Sequence, residues 1–417
     1  MKIIWLGGIV LPKIAKKEGL PITNANGWLV NLADILGTQE NIQLVYLFDA
    51  ENCFSGKTEN YKYYGIQCDK STKRKLGVEY KKQIKEIFDI EKPDVIHIWG
   101  TEGSHSLAVV EVCKELNILE KAVVSIQGLV GKYAQHYSAY LPHSVMHTFS
   151  IKDLLQGDVA KRMQEFRIRG EIESETLSIA KNVIGRTEWD MACVWDINPD
   201  AKYYFNNETL REEFYSGMWM YENCEKHSIF CSQAYNPIKG AHLIVAALPR
   251  IKKVYPDVKL YIGGKNYRSV PKWKRNGYEN YLLTMIDSNG LQDNVCFTGF
   301  LSAEEMKNRY LQSNVFVSAS SIENSPNSVG EAMILGMPVV ASRVGGVHNM
   351  LTHGTEGYLY PADETYMLSY YVCKIFADVD LATKLGRNAR NHALVTHDPK
   401  INLNTLIQIY VELSLNK

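Results

Sequence analysis

Short, continuous apolar segments alternate along this chain with longer segments whose apolar residues recur at helical spacing. Lys2 to Leu6, Asp94 to Trp99 and Val315 to Ser318 are short segments of the apolar type, rich in β-branched and aromatic residues. Runs of this kind are typical of buried parallel strands, and the segments between them have the periodicity of amphipathic helices. The alternation of the two types predicts an α/β protein built on parallel sheets.

The length of the chain indicates that this pattern forms two domains. A chain of 417 residues is too long for one ordinary core. Strands and helices alternate through both halves, so we expect two Rossmann-like domains, 1–200 and 201–397. A last apolar helix follows Asp398-Pro399 and occupies about 398–417.

Small or polar residues follow directly after several predicted strands. Ligands of open α/β sheets bind at the carboxyl ends of the strands, so these positions are candidate binding residues. The glycine pair after the first strand lacks the third glycine of G-x-G-x-x-G, which removes the main support for a nicotinamide site. The positions at the strand ends are Gly7, Gly8, Gln127, Arg186 and Gly299.

The most informative stretch is Val315 to Gly346, whose pattern indicates a strand, an acidic loop, a helix, a second strand and a glycine turn. Pro326 has the chemistry of a helix start, and Gly336 is a natural stop. Two carboxylates, Glu323 and Glu331, lie on the loop and the first part of the helix with no basic residue between them. A local ion pair therefore does not explain them.

This stretch has the chemistry to bind a sugar nucleotide. The free backbone N–H groups of Asn327, Ser328 and Val329 would point out of the helix start and take a diphosphate, aided by the helix dipole. Glu331 would accept hydrogen bonds from two ribose hydroxyls, and Glu323 would face the transferred sugar. The alternative is that Glu331 complements the helix dipole and Glu323 is a solvated loop residue.

Composition narrows the classes of partner and cofactor. Lys plus Arg equals Asp plus Glu at 46 each, so no overall field recruits nucleic acid. The eight cysteines are scattered without a C-x-x-C pair, which favours reduced thiols in the cytoplasm over zinc or disulfides. The histidines form no H-E-x-x-H or H-x-H cluster, so no protein-held metal is expected. No apolar run reaches the roughly 18 residues of a spanning helix.

The Val315 to Gly346 stretch resembles the donor site of the family 4 retaining glycosyltransferases of GT-B fold, also called glycosyl transferases group 1. In that family a Glu, seven residues and a second Glu are followed by Ala-Met, a Gly-x-Pro-Val strand entry and a Gly-Gly turn. This chain has the same residues in that order and spacing, namely Glu323, Glu331, Ala332, Met333, Gly336, Pro338, Val339, Gly345 and Gly346.

The resemblance implies two Rossmann-like domains that face each other across a cleft, with the last helix crossing back to the first domain. It implies a retaining enzyme that moves a hexosyl group from a UDP- or GDP-sugar to an acceptor hydroxyl, without a metal or other cofactor. The acceptor would be a saccharide or a lipid-linked molecule, as in the synthesis of surface polysaccharides or glycoconjugates. Such an enzyme would work in the cytoplasm at the inner face of the membrane.

The resemblance also implies roles for single residues. Lys239, in a Lys-Gly pair, would bind the diphosphate, Glu323 would orient the sugar and Glu331 would hold the ribose. The glycines at the strand ends and turns would approach the donor, with the nucleobase near Gly299. These glycines are Gly7, Gly8, Gly299, Gly345 and Gly346.

Two positions depart from the family pattern. Gln127 stands where the family commonly has a histidine near the transferred sugar, and Gln233 stands where it has a diphosphate-binding arginine. A glutamine cannot take the proton or supply the charge. Arg186 and Arg343 are the candidates for the missing cation, because a diphosphate leaving group needs more than one. His97 and His105 are candidates for the missing histidine, or they are structural.

Several alternatives stay open. The Tyr-, His- and Arg-rich segment from Lys132 to Glu171 is either an acceptor-side elaboration of the first domain or a helical excursion over its sheet. The basic helix from Lys73 is either a solvated face or weakly attracted to a membrane surface. The same donor site would also suit a GT-B epimerase or hydrolase. Gln127 and Gln233 would suit a non-catalytic scaffold that has lost the site.

Overall fold

Two β-sheets form the centres of two compact units. The computed structural model describes residues 1–21, 27–68, 76–148, 150–233 and 235–415. The first unit comprises 1–131, 167–209 and 399–417, and the second comprises 132–166 and 210–398. The α/β class predicted from the sequence pattern is confirmed.

The strands of the described residues belong to these two sheets. In chain order they are β1 (Lys2–Leu6), β2 (Gln43–Ala50), β3 (Phe54–Lys57), β4 (Lys62–Gln67), β5 (Val95–Trp99), β6 (Ala122–Ser125), β7 (Asn182–Gly185), β8 (Lys202–Phe205), β9 (Glu225–Cys231), β10 (Lys259–Ile262), β11 (Val295–Phe297), β12 (Ser313–Ser318), β13 (Val339–Ser342) and β14 (Tyr358–Tyr360).

Helices connect the strands and cover the sheets. The α-helices are α1 (Pro12–Glu18), α2 (Gly27–Gly37), α3 (Val78–Glu91), α4 (Ser104–Glu115), α5 (Val130–Gln135), α6 (His143–Met146), α7 (Ile151–Gln156), α8 (Val159–Ile179), α9 (Glu188–Ile197), α10 (Ala241–Val254), α11 (Gly277–Ser288), α12 (Ala303–Leu311), α13 (Asn327–Ile334), α14 (Val347–Met350), α15 (Thr365–Ala377), α16 (Val379–Thr396) and α17 (Pro399–Leu415). Short 3-10 helices are Leu119–Lys121, Glu212–Tyr215, Tyr221–Asn223, Pro237–Lys239, Tyr267–Ser269 and Lys272–Lys274.

The sheet of the first unit has eight strands in the order β3-β4-β2-β1-β5-β6-β7-β8. All neighbours pair in parallel except β3 and β4, which are antiparallel. The first strand lies in the middle, where Ile4 pairs with Val45 on one side and with Ile96 on the other. Its side chains from Ile3 to Leu6 are buried, as expected for a strand covered on both faces.

The sheet of the second unit has six parallel strands in the order β11-β10-β9-β12-β13-β14. Its two central strands, β9 and β12, are flanked by β10 and β13. The apolar side chains of Val315 to Val317 on β12 are buried in the core between the sheet and its helices. The residues that follow β12 and β13 therefore start from a rigid edge.

The boundary between the units differs from the expected one near residue 200. β8, which the sequence analysis did not predict, adds the strand Lys202–Phe205 to the edge of the first sheet, and the first unit continues to Thr209. Residues 132–166, expected in the first domain, belong to the second unit instead. Their Tyr137 packs in one hydrophobic cluster with Ile238 and Tyr278, which explains the change.

The C-terminal helix α17 packs in the first unit. The Tyr410 hydroxyl on α17 accepts a hydrogen bond from Trp5 Nε1 at 2.9 Å and lies 2.5 Å from His97 Nδ1. Leu406, Tyr410 and Leu413 are fully buried against the core of this unit. The last element of the chain thus completes the core around its first strand.

Two predictions from the sequence concern membranes, namely the basic helix from Lys73 and the lack of a spanning helix. Lys73, the predicted start of the basic helix, lies outside the described residues, and α3 begins at Val78. Across the part of the chain that the structure describes, no helix combines the length and the apolarity that crossing a membrane would need.

Candidate functional site

The acidic loop, residues 319–325, follows β12 and carries a buried carboxylate. Glu323 is only 5 % exposed, and its Oε1 accepts hydrogen bonds from Lys239 Nζ at 2.5 Å and from Ser320 Oγ at 2.8 Å. Lys239 ends the 3-10 helix that precedes α10 and stays partly exposed. The structure thus brings together Lys239, which the family resemblance assigned to the diphosphate, and Glu323, which it assigned to the transferred sugar.

Hydrogen bonds to the backbone fix the acidic loop on both sides. The N–H of Ser321 donates to the carbonyl of Ile238 at 2.8 Å, and the N–H of Gly346 donates to the carbonyl of Glu323 at 3.0 Å. The Ser342 hydroxyl donates to the carbonyl of Ser320 at 2.6 Å. The loop therefore holds the end of the 3-10 helix and the glycine turn at fixed positions around Glu323.

Two glycines are required by these close approaches. Gly240 has a φ of +70°, and a Cβ there would lie 1.8 Å from the carbonyl oxygen of Ala319. Gly345 has a φ of +49°, and a Cβ there would lie 1.9 Å from the carbonyl oxygen of Glu323. Any other residue would both strain the backbone and push the acidic loop away.

The start of α13 differs in one respect from the expected diphosphate site. The N–H of Val329 donates to the carbonyl of Pro326 at 2.9 Å, and Val329 is fully buried, so its inclusion among the free donors was wrong. No described residue accepts from the N–H groups of Asn327 and Ser328. Two free donors therefore remain at the positive end of this helix.

Glu331 forms a buried ion pair that sequence reasoning missed. Its Oε1 accepts from Arg211 Nε at 2.8 Å and lies 2.7 Å from the second guanidinium nitrogen, while Oε2 lies 3.4 Å from the Tyr310 hydroxyl. Burial raises the pKa of Glu331 to about 6, and the positive charge of Arg211 opposes that rise. Each of the two carboxylates thus has a cation from a distant part of the chain.

The aromatic segment 132–166 also supports the acidic loop. The N–H of Asn324 donates to the Tyr133 hydroxyl at 3.2 Å, and the Ser321 hydroxyl donates to the carbonyl of His136 at 3.0 Å. The aromatic and basic residues of this segment left two interpretations open, an acceptor-side elaboration of the first domain or a helical excursion over its sheet. Its contacts place it beside the loop that carries Glu323.

Two further candidates in the second unit, Gly299 and Arg343, are at least partly exposed. Gly299 follows β11 with a φ of +79°, its carbonyl accepts from the N–H of Gly264 at 2.9 Å, and no atom lies within 4 Å of a Cβ built there. Arg343 follows β13 with an exposed side chain that has no described carboxylate within ion-pair distance. Its charge is therefore available to a ligand.

Gly7 and Gly8 follow β1 in the first unit. A Cβ on Gly7 would lie 1.9 Å from the Tyr46 hydroxyl, which donates to the carbonyl of Ile9 at 2.8 Å. Gly8 is exposed and has open space around it. Gly7 therefore serves the packing of the turn, whereas only Gly8 leaves the backbone accessible.

Arg186 is held by its own unit rather than left free for a phosphate. Its guanidinium is buried, forms an ion pair with Glu208 and donates to the carbonyls of Ile126 and Gln127 at 3.1 and 3.0 Å. The charge proposed for a ligand is thus already neutralised. Of the two arginine candidates, Arg343 is the accessible one.

The two candidate histidines differ in burial. His97 is fully buried between the Tyr410 and Ser125 hydroxyls, and burial holds its pKa well below the ordinary value, so it is a neutral structural residue. His105 lies 3.3 Å from Asp49 on the first unit. Among the described residues, no group of three or more His, Cys, Asp or Glu side chains has the arrangement of a metal site.

Comparison with known protein sequences points to one family. Residues 222–392 match the model of the family described as glycosyl transferases group 1. A putative glycosyltransferase of Bacillus subtilis, YtcC, is 29% identical over 192 residues, which are 44% of this chain and 46% of that protein. A GDP-mannose-dependent alpha-(1-6)-phosphatidylinositol monomannoside mannosyltransferase of Mycolicibacterium smegmatis is 26% identical over 204 residues, 47% of this chain and 48% of the relative. The match thus spans about half the length of these relatives.

Solved structures extend the likeness to the whole fold. A sucrose-phosphate synthase from Thermosynechococcus elongatus superposes with a TM-score of 0.71 at 16% identity and covers 99% of both chains. Anabaena Alr3699/HepE in complex with UDP gives a TM-score of 0.68 at 14% identity over 99% of this chain and 100% of that one. These similarities confirm the predicted GT-B fold.

Proposed function

Because residues 222–392 match the model of the glycosyl transferases group 1 family, we propose that this protein is a retaining glycosyltransferase that moves a hexosyl group from a nucleotide diphosphate sugar to an acceptor hydroxyl. The observation that carries the proposal is the grouping of Lys239, Glu323 and the Gly345-Gly346 turn around one fixed loop. The names of the relatives support the donor class, since one depends on GDP-mannose and another was solved with UDP.

The main chemical task of these residues is to stabilise the leaving diphosphate. The bond between the anomeric carbon and the phosphate oxygen breaks with its electron pair on the oxygen. Positive groups placed at that oxygen lower the barrier because they interact more strongly with the charge that develops than with the ground state. Lys239, the free N–H groups of Asn327 and Ser328, and Arg343 are the groups we assign to this task.

Lys239 can bind the Glu323 carboxylate and the leaving diphosphate at the same time. An ammonium has three N–H donors, and the bond to Glu323 uses one of them. Glu323 then orients the sugar through its hydroxyls and offers negative charge to the positive ring of the transition state. The acceptor oxygen bonds to the anomeric carbon on the face that the phosphate leaves, and its proton passes to the departing phosphate oxygen.

Glu331 is assigned to the ribose of the donor. Its Oε2 is the less committed oxygen, because Arg211 occupies Oε1 and the Tyr310 hydroxyl is 3.4 Å away. The acceptor is proposed to be a saccharide or a lipid-linked molecule in surface polysaccharide or glycoconjugate synthesis. No metal has a part in this scheme, since the cations and N–H groups supply the charge.

The substitution Lys239→Ala tests the proposal. Loss of one donor to a developing oxyanion costs about 3 kcal/mol, so kcat/KM for transfer should fall about a hundredfold or more. Lys253→Ala on the exposed face of α10 is the matched control and should retain full activity. An unchanged kcat/KM for Lys239→Ala would refute the assignment.

A thermal-shift panel of UDP- and GDP-sugars identifies the donor. A ligand that binds only the folded protein raises its melting temperature, so the stabilising compound would name both base and sugar. Stabilisation by none of them would favour a non-catalytic scaffold. Conversion of the donor without any acceptor would favour an epimerase or a hydrolase.

A further inference from the structure

The short helix α7 (Ile151–Gln156) turns its apolar side chains away from the protein. Ile151, Leu154 and Leu155, at helical spacing on one face, are 55, 70 and 80 % exposed. On the other face Asp153 is buried, and its carboxylate accepts from the Ser150 hydroxyl at 2.5 Å and from the N–H of Gly277 at 2.8 Å. This is the reverse of an ordinary surface helix, which buries its apolar face.

A further exposed apolar residue, Trp273, lies beside α7. The 3-10 helix Lys272–Lys274 packs against α7 and holds Trp273 with 59 % of its surface exposed. Lys274 Nζ lies 4.7 Å from the centre of the Trp273 ring. We call Ile151, Leu154, Leu155, Trp273, Lys272 and Lys274 the basic-apolar patch.

The charge around the basic-apolar patch is positive. The two segments, together with Lys265 and residues 269–271, line an open groove of about 480 Å³. Its described lining includes three lysines, Lys152, Lys265 and Lys274, and no carboxylate. Lys152 and Lys265 approach the buried Glu279 at 2.8 and 3.9 Å. Among the described residues, neither Lys272 nor Lys274 has a carboxylate within ion-pair distance.

We propose that the basic-apolar patch docks this protein onto a bilayer surface that carries anionic lipids. The aliphatic side chains and the tryptophan would enter the boundary between head groups and acyl chains, where Trp is favoured because one part of its ring is apolar and one is polar. The lysines would lie at the level of the anionic head groups, each adding about fivefold to the affinity. The docking surface belongs to the second unit and does not depend on the proposed donor chemistry.

The side chains favour a bilayer over the other partners of a basic surface. A saccharide is bound by flat aromatic rings with hydrogen-bonding groups around them, and protruding leucines give a sugar little to contact. Inorganic phosphate would use the lysines alone. Only a bilayer gives both the leucines and the lysines a favourable environment at one surface.

Co-sedimentation of the full chain with vesicles tests the proposal. We expect the protein to pellet with vesicles of equal parts phosphatidylcholine and phosphatidylglycerol, and to stay in solution with phosphatidylcholine alone. The double substitution Leu154→Ser with Leu155→Ser should weaken the partition at least about tenfold, since several buried CH₂ groups are lost. Lys272→Glu with Lys274→Glu should weaken it further and remove its sensitivity to salt.

Matched substitutions on α16 control for a general loss of apolar surface or charge. Leu394→Ser with Val395→Ser removes exposed aliphatic residues of the same kind, and Lys384→Glu with Arg387→Glu reverses exposed charges outside the basic-apolar patch. Both controls should pellet like the unmodified protein. Circular dichroism melting curves should be unchanged for all four variants, because every substituted side chain is substantially exposed.

Three results would overturn the proposal. The first is equal sedimentation of the patch variants and their controls, which would place any membrane contact elsewhere. The second is binding to an anionic polysaccharide that Lys272→Glu with Lys274→Glu abolishes and the leucine substitutions leave intact. The third is release from vesicles by millimolar inorganic phosphate at constant ionic strength, which would identify an anion site.

Trp273→Phe should remove the blue shift of tryptophan fluorescence that vesicle binding produces.

Discussion

Replacing Arg211 with glutamine tests the assignment of Glu331 to the donor. In the native protein, a carboxyl with a pKa of about 6 is ionised in roughly ten of eleven molecules at pH 7. The guanidinium lies 2.8 and 2.7 Å from Glu331 Oε1, a distance at which an opposite charge typically lowers a carboxyl pKa by about one to three units. Without it, at most about half of the Glu331 carboxyls would stay ionised at pH 7.

The assay is donor affinity as a function of pH. An ionised carboxylate accepts hydrogen bonds from both ribose hydroxyls, whereas a protonated one loses an acceptor. Calorimetric Kd values for the unmodified protein should weaken as the pH falls through about 6, and Arg211→Gln should move this midpoint upward by at least about one unit. Arg211→Lys should restore most of the native profile.

The control and the refuting result follow from the same carboxylate. Glu331→Gln has no proton to lose, so its donor affinity should not change with pH between 5 and 8 on account of this position. If Arg211→Gln and the unmodified protein have superimposable pH profiles, Glu331 does not hold the ribose as an ionised acceptor.

The remaining predictions concern stability and cofactor use. The pKa of Glu331 rises from 4.5 to about 6 on folding, so the folded state is stabilised by protonation of this carboxyl. The rise corresponds to about 2 kcal/mol of unfolding free energy, which is present below pH 4.5 and lost by about pH 6. Denaturant titrations of Glu331→Gln should not show this loss. Gly354→Ala, at a positive φ but in open space, should lower the unfolding free energy only by the backbone strain of about 1–3 kcal/mol. Gly345→Ala should lower it by more than this, because its Cβ would also meet the acidic loop, and should weaken donor binding. Tyr410→Phe leaves the Trp5 N–H buried without its acceptor and should cost about 1–3 kcal/mol in the same titration, and an unchanged midpoint would contradict the contact. Transfer activity should persist in excess EDTA, and its loss with recovery on adding Mg²⁺ would refute the metal-free scheme.

Local patterns were enough to predict much of the fold and of the donor-side loop. The run at Lys2–Leu6 is a strand with those bounds, because buried parallel strands need continuous apolar residues. The family pattern assigned Lys239 and Glu323 to the same donor, and Lys239 Nζ lies 2.5 Å from Glu323 Oε1.

Contacts between distant residues account for most of what the sequence did not reveal. Arg211 pairs with Glu331 across 120 residues, and no periodicity marks it as the partner. Residues 132–166 join the second unit through tertiary packing of Tyr137, which their aromatic composition alone does not assign to either sheet. The number of free N–H groups at the start of α13 depends on the hydrogen bond from the Val329 N–H to the Pro326 carbonyl, a detail of backbone geometry that the sequence does not reveal.

The contact of Tyr410 with the first strand has a consequence for synthesis on the ribosome. Trp5 and Tyr410 are separated by 405 residues, so at roughly 5–20 residues per second the acceptor for Trp5 emerges about 20–80 seconds after the donor. Until then the surface that α17 covers is open to water and to other nascent chains. The first unit begins to form earliest but finishes last, and a chaperone that shields this surface during that interval would improve the yield of folded protein.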